Sequence, residues 1–326
     1  MATMRIVEIA EFGGAEVLRI AEAPVPHAGP GEVVIRAAAA GLNRADILQR
    51  QGHYPPPPGA SPILGMEVAG RVAETGPGVT EWKPGDAVCA LLAGGGYAEY
   101  CAAPAGQCLA VPDAVPLPEA AALPEAVFTV WANLFEPPCL QPGETLLVQG
   151  GSSGVGSMAI QVARVFGIRV AATAGSGAKC DFCLQLGCER AFNYREEDWA
   201  EGARAWAAGV DVILDMVGGD YFPKNLQVLA PRGRLVYIAY ARGRNVTADL
   251  ALIMGKRLTV TGSTLRGRPL AEKTALRDSI RRRLWPHLAA GRVRPVIDRI
   301  FPLEQVAEAH RRMESGQHIG KILLTM

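Results

Sequence analysis

One stretch of the 326-residue chain concentrates small residues: Gln149-Gly150-Gly151-Ser152-Ser153-Gly154-Val155-Gly156. The apolar segment Thr145–Val148 runs into it, and a segment with amphipathic helical spacing, ending at Phe166, leaves it. A strand that turns tightly on glycine into a helix presents unpaired backbone N–H groups at the positive end of the helix dipole. The missing Cβ atoms let a pyrophosphate approach closely. The chemistry this predicts is dinucleotide binding. The spacing departs from G-x-G-x-x-G and reads as small-x-x-small-x-x-Gly on Gly150, Ser153 and Gly156, with Gly154 adding backbone freedom. Gly151, Ser152 and Val155 complete the set expected to line the phosphates. An ordinary glycine-rich turn without ligand is the alternative.

The choice between two dinucleotides is read about 20 residues further on, at the end of the next strand, where NAD sites place an Asp or Glu on the ribose 2′-hydroxyl. Here that strand ends Thr173-Ala174-Gly175-Ser176, Lys179 follows, and no acid precedes Asp181. A hydroxyl and an ammonium suit a 2′-phosphate. Gly175, Ser176 and Lys179 therefore predict NADPH, unless Lys179 is simply an exposed helix residue. Tyr237-Ile238-Ala239-Tyr240 closes a later strand, where ligands of open α/β sheets bind.

The elements that must hold these residues follow from periodicity. The first ~120 residues read as β-rich, with strand-like Glu32–Ala37 and Val68–Ala73 punctuated by Pro/Gly turns. Tyr54 to Gly59 contains four consecutive prolines and is expected as a stiff loop. From about Pro124, near-continuous apolar strands alternate with helices (helix 155–166, strand 169–173, helix 177–187, strand 211–215, helix 220–229, strand 233–238), the pattern of a parallel sheet covered on both faces. A helix at 269–290, a strand near 296–300, a helix at 303–315 and a strand at 320–325 follow. The last strands are expected to return to the first domain. The fold class is α/β: a doubly wound parallel Rossmann domain, residues 125–265, inserted in a β-rich domain formed by 1–124 and 266–326.

Composition removes other classes. The 33 basic and 32 acidic residues nearly cancel, so a nucleic-acid surface is not expected. The Arg281–Arg283 run reads as a solvated helix face. No stretch reaches the ~18–20 apolar residues of a membrane span, and no signal-peptide block appears, so a cytoplasmic location is expected. Seven cysteines, an odd number, suit a reduced compartment. Cys180 and Cys183 have C-x-x-C spacing, but nothing nearby completes four ligands, and buried thiols are the better reading. No metal is expected. His27, His287, His310 and His318 read as surface residues, and no hydrolase elbow appears at Gly151–Gly154.

Gly65-Met66-Glu67-Val68-Ala69-Gly70 through Gly76, continuing to Gly85-Asp86-Ala87-Val88, resembles the signature of the medium-chain dehydrogenase/reductase superfamily. Ala39–Asp46 and Gln149–Gly156 resemble its quinone oxidoreductase, or zeta-crystallin, branch, and the likeness runs through to His318–Ile322. It implies a GroES-like first domain. The zinc alcohol dehydrogenases of the superfamily use Cys where Asn43 stands and His where Met66 stands. Neither Asn nor Met is a good zinc ligand, and Glu67 alone cannot hold the ion. Cys89, Cys101 and Cys108 are too widely spaced for the four-cysteine lobe of those enzymes. The resemblance therefore implies a zinc-free reductase of electron-poor acceptors, quinones or conjugated enones, in which hydrogen bonds rather than a Lewis acid meet the developing oxyanion.

The resemblance also suggests roles. Asn43 would stand beside nicotinamide and substrate, with helix capping as its alternative. Tyr54 would contact the cofactor, or be only a surface tyrosine. Thr129 would lie near the cofactor, or bond its own helix backbone. Tyr194 would pack by the 2′-phosphate, or against the sheet. The backbone of Ile238 with that of Ser263-Thr264-Leu265-Arg266 would hold the carboxamide. Lys321 could reach the cofactor phosphates, or be an exposed strand residue. The activity expected is NADPH-dependent quinone reduction, with enone C=C reduction and a non-catalytic, crystallin-like NADPH-binding protein as alternatives. A homodimer, through pairing of the apolar edge segment Leu258–Thr261, completes the expectation.

Overall fold

A computed structural model describes residues 2–136 and 140–326. The chain divides into two compact units, Met1–Phe128 with Arg266–Met326, and Thr129–Leu265. The first boundary falls inside a helix, slightly later than the sequence suggests.

The first unit opens with β1 (Thr3–Ile9), β2 (Leu18–Pro24), β3 (Glu32–Gly41), α1 (Arg44–Arg50), β4 (Glu67–Thr75), β5 (Ala87–Leu91), β6 (Tyr100–Pro104) and β7 (Cys108–Ala110). Helix α2 (Pro124–Leu134) follows. The second unit contains β8 (Thr145–Gln149), α3 (Gly154–Val165), β9 (Arg169–Ala174), α4 (Gly177–Gln185), β10 (Arg190–Asn193) and α5 (Trp199–Trp206). It continues with β11 (Val210–Asp215), α6 (Tyr221–Val228), β12 (Leu229–Tyr237), α7 (Leu250–Lys256) and β13 (Thr259–Gly262). The chain then re-enters the first unit as α8 (Leu270–Arg283), α9 (Trp285–Ala289), β14 (Ile297–Pro302), α10 (Val306–Glu314) and β15 (Lys321–Thr325). The 269–290 helix expected from periodicity is two helices, because Pro286 near the start of α9 cannot continue the hydrogen-bond ladder of α8.

In the first unit, β14-β15-β3-β4-β5-β7 form one sheet, with β6 also on β3, and β1 pairs β2 separately. β15 runs antiparallel to β3, with Leu323 opposite Gly41, so the last strand does return to this unit. Val33, Ile35, Val68, Val72, Val88 and Ala90 fill the space inside, each burial contributing roughly 1.5–3 kcal/mol for a Val or Ile. Cys101 and Cys108 join them as free, buried thiols. The proline run from Tyr54 forms neither helix nor strand.

The second unit is a six-stranded sheet in the order β10-β9-β8-β11-β12-β13. Every pairing in it is parallel. The chain starts in the middle, moves out through β9 and β10, then resumes on the other side of β8. The switch point lies between β8 and β11, and the crevice at their carboxyl ends is where such sheets take ligands. β8 is buried at every position, as a strand covered on both faces must be. Leu147, Ile213 and Leu235 pack on Trp199, Phe222 and Leu226 of α5 and α6. Among the described residues, no helix is long and apolar enough to cross a membrane.

Candidate functional site

The glycine turn sits at the switch point of the second unit. Gly150 has φ +87°, a conformation that L side chains rarely adopt. Ser153 caps α3: its Oγ accepts from the Gly156 N–H at 3.0 Å and donates to the Gly150 carbonyl at 2.8 Å. A Cβ on Gly156 would lie 2.3 Å from that carbonyl. Gly156 is therefore what lets the helix start against the strand end, while Gly154 and Val155 form the first turn of α3. Gly151 is packed as tightly, since its Cβ would meet Ala172 at 2.5 Å, and Ser152 is buried. The Ser153 hydroxyl also reaches Met216 Sδ, after β11, at 3.3 Å, tying the two sides of the switch point together.

The residues expected to select the cofactor converge on the same carboxyl edge. Ser176 caps α4 through the Lys179 N–H. The Tyr194 hydroxyl lies 2.5 Å from where a Gly175 Cβ would be, and the ring is 41% exposed. Packing of Tyr194 in the core is thus not what its surroundings show: it stands over Gly175. Gly175, Ser176, Lys179 and Tyr194 follow β9 and β10, Ile238 follows β12, and Thr264 and Leu265 follow β13, so all lie at one end of one sheet. The Ile238 N–H is bonded to the Asp215 carbonyl at 2.9 Å.

Beneath the turn runs a buried polar chain that sequence reading missed. Thr173 Oγ1 accepts from the Gly150 N–H at 3.1 Å and donates to Gln149 Oε1 at 2.8 Å. Gln149 Nε2 donates to Asn225 Oδ1 at 3.0 Å, and Asn225 Nδ2 to Asp215 Oδ2 at 2.6 Å. The other Asp215 oxygen accepts the Val217 and Gly218 N–H groups. Burial pushes the Asp215 carboxyl up, against those donors. The available signal was a polar residue ending each of two largely apolar strands, TLLVQ and VDVILD. In the same unit, Asn133 Nδ2 donates to the Thr129 carbonyl at 2.8 Å, and Ser263 Oγ donates to Asn133 Oδ1 at 2.9 Å. Thr129 is buried and linked in this way to the segment after β13.

The first unit holds the other half of the expected set. Asn43 is the residue before α1, yet its carboxamide faces inward. Nδ2 donates to Glu67 Oε1 at 2.9 Å and to the Gly41 carbonyl at 3.4 Å, and Oδ1 accepts from Lys321 Nζ at 2.6 Å. Both amide hydrogens thus have acceptors within the unit. The capping is supplied by Asp46, whose carboxylate accepts the Asn43 N–H at 2.7 Å. Asp46 also accepts from the Gly65 N–H and from the Tyr97 hydroxyl, both at 3.1 Å. Burial pushes its carboxyl up to about 6, although these donors and the Lys321 ammonium act the other way.

Lys321 is buried rather than an exposed strand residue. Its Nζ bonds Leu42 O at 3.1 Å, Asn43 Oδ1 at 2.6 Å and Glu67 Oε1 at 2.5 Å, which occupies all three hydrogens. The Arg266 side chain is likewise engaged. It belongs to the first unit, where its guanidinium bonds Ala93 O and Gln49 Oε1, both at 2.7 Å, and Tyr54 O at 3.4 Å. It lies 5.4 Å from the centre of the Tyr54 ring, so it braces the proline-rich loop by hydrogen bonds and a cation–π contact. His310 is fully buried rather than on the surface, with Nδ1 3.2 Å from Arg50 Nη1. Burial and that cation push its imidazole down to about 3.

The donor set at the zinc positions of the superfamily does not suit the ion. Asn43 and Glu67 are bonded to Lys321, Glu67 Oε2 accepts the Glu125 N–H at 2.8 Å, and Met66 offers a thioether. Cys89, Cys101 and Cys108 come closer than their spacing suggests, but burial holds all three thiols protonated, pushing Cys101 up to about 12. Among the described residues, no group of three or more His, Cys, Asp or Glu is arranged to hold a metal.

Residues 29–113 match the family model described as alcohol dehydrogenase GroES-like domain, and residues 186–324 the one described as zinc-binding dehydrogenase. The human quinone oxidoreductase is 31% identical over 99% of this chain and 98% of its own length. A solved NAD-dependent alcohol dehydrogenase superposes with a TM-score of 0.87 at 32% identity, covering 99% of each chain. The Escherichia coli quinone oxidoreductase complexed with NADPH superposes with a TM-score of 0.84 at 28% identity, covering 100% of each chain.

Proposed function

This chain belongs to the quinone oxidoreductase branch of the medium-chain dehydrogenase/reductase superfamily and is an oxidoreductase, and on that premise we propose that it reduces quinones with NADPH and without zinc. The observation that carries the reading is the acid-free edge made by Gly175, Ser176, Lys179 and Tyr194. A carboxylate there would repel a 2′-phosphate, whereas a hydroxyl and an ammonium attract it. One solved relative binds NADPH, while another is NAD-dependent, so this edge rather than kinship decides the preference.

The cofactor, when bound, supplies a hydride to the acceptor. The chain's contribution begins with the Gly150–Gly156 turn, where the helix dipole and the N–H groups of Gly154 and Val155 in the first turn of α3 hold the pyrophosphate. The backbone at Ile238, Thr264 and Leu265 orients the carboxamide, with Thr129 joined to the same wall through Asn133 and Ser263. Tyr54, braced by Arg266, donates a hydrogen bond to the oxygen that gains charge, and the hydroquinone anion takes its proton from that phenol or from water. Asn43 is assigned to the reacting end as a fixed carboxamide rather than a free donor. Zinc independence rests on the lysine and amide that occupy Glu67.

The test is steady-state oxidation of NADPH and NADH with 1,2-naphthoquinone and with an alkenal, before and after dialysis against a chelator. The expected result is quinone turnover at least ~10-fold more efficient with NADPH than NADH, unchanged by the chelator. Preference for the alkenal moves the reading to C=C reduction. Tight NADPH binding with no turnover leaves a non-catalytic binding protein.

We also propose a homodimer that pairs β13, which is the edge of its sheet and carries Val260 42% exposed. A monomeric mass by sedimentation excludes it. A cytoplasmic location accords with the free state of the six described cysteines, and cell fractionation tests it.

A further inference from the structure

Lys321 begins β15, and the pairing of β15 with β3 brings its side chain under the turn from Gly41 to Asn43. Three oxygens receive its three hydrogens: Leu42 O, Asn43 Oδ1 and Glu67 Oε1. Glu67 Oε1 also accepts from Asn43 Nδ2, which closes a triangle of ammonium, carboxylate and carboxamide. All three residues are buried.

The triangle fixes the sense of the carboxamide. A flipped Asn43 would set its NH2 against an ammonium and its oxygen against a carboxylate, exchanging two attractions for two repulsions. Gly41 is part of the device, because a Cβ there would lie 2.2 Å from Glu67 Oε1. A buried ion pair is a poor stabiliser compared with an apolar pair of the same volume, but it does specify one arrangement. Every partner of the Lys321 ammonium lies within the first unit, whereas the cofactor turn belongs to the second.

We infer that Lys321 is a positioning residue for the reduction: together with Glu67 it locks the Asn43 carboxamide and the turn that starts α1, and it is not a ligand of the cofactor phosphates. The inference rests on the assignment of Asn43 to the reacting end made above.

Lys321→Met alone leaves a buried unpaired carboxylate and can unfold the chain, so the informative variant is the charge-neutral Glu67→Gln/Lys321→Met pair. It is made in the parent and in Asn43→Ala, and each protein is measured for NADPH affinity by fluorescence and for quinone kcat and KM. The expected result is NADPH affinity within about twofold of the parent and a kcat lowered about tenfold, because a shift of the reacting geometry acts on turnover. In the Asn43→Ala background the same pair of changes should lower kcat less than about twofold. A tenfold loss of NADPH affinity with kcat unchanged would overturn the inference in favour of a phosphate contact. So would a kcat loss that persists undiminished without Asn43. If the parent turns over no quinone, the functional reading fails by itself. The positioning is then read from the Asn43 side-chain amide resonances, identified by their loss in Asn43→Ala: two separated, slowly exchanging signals in the parent support it, and the same signals unchanged in the charge-neutral pair overturn it.

Discussion

The carboxyl edge of the second unit and the Asn43–Glu67–Lys321 triangle of the first are built on opposite principles. At the sheet edge the polarity comes from the main chain: Gly150, Gly151 and Gly156 have no side chains, which lets strand end, turn and helix start pack against one another. In the triangle it comes from side chains, and each donor already has its acceptor. The first region exposes main chain at the end of a sheet. The second is closed on itself and can act only by holding something in place.

Four measurements can break or sharpen that contrast. The largest effect is expected from Gly156→Val, whose Cβ would lie 2.3 Å from the Gly150 carbonyl. NADPH affinity by fluorescence titration should fall at least ~100-fold with the melting temperature of the first unit little changed. Retained affinity would mean that the turn does not hold the pyrophosphate. Next, Lys179→Glu should move the NADPH/NADH preference by roughly 10- to 100-fold toward NADH, since it places a carboxylate where the 2′-phosphate is expected. An unchanged ratio of kcat/KM values would return Lys179 to an ordinary helix residue.

A smaller effect is expected from Arg266→Met. Its guanidinium is engaged by Ala93, Gln49 and Tyr54, so quinone KM should rise by about fivefold while NADPH affinity stays within twofold. A loss confined to NADPH would reinstate Arg266 as a cofactor contact.

The smallest effect concerns pH and stays within the first unit. Asp46 keeps its proton to about 6 in the fold, whereas the unfolded carboxyl loses it near 3.8, so its contribution to stability declines as pH rises from 3.8 through 6. His310 stays neutral to about 3, whereas unfolded imidazole takes a proton near 6.5, so its contribution declines as pH falls from 6.5 toward 3. The two slopes oppose each other between pH 4 and 6. Relative to the parent, Asp46→Asn should melt at progressively lower temperature toward pH 4, and His310→Gln toward pH 6. Parallel melting curves for parent and variants would remove both assignments.

The alternation of apolar strands with helices and the Gly150–Gly156 turn were legible because each depends on residues adjacent in sequence, whereas the inserted order of the domains, which needs β15 to return to β3, leaned on the family resemblance. The proline loop was legible from adjacent residues too. The triangle was not: Lys321 and Asn43 stand 278 residues apart, and no local pattern tells a buried strand lysine from an exposed one. Arg266 follows the cofactor-edge segment Ser263–Leu265 yet already belongs to the other unit, and no local pattern shows where its guanidinium goes. His310 lies in a helix rich in charged residues, and only the packing against Arg50 shows which face is buried. The chain from Thr173 through Gln149 and Asn225 to Asp215 joins three elements, and only its strand-end positions hinted at it.

The pairing of β15 with β3 sets a timetable for biosynthesis. The second unit, Thr129–Leu265, is one continuous stretch and can complete its sheet while the ribosome is still at work. The first unit waits. Glu67 emerges 254 residues before its lysine, and until then its carboxylate belongs to a sheet that still lacks β14 and β15. A stalled or truncated product would therefore be half an enzyme of a particular kind, able to hold its cofactor and unable to finish the domain that uses it.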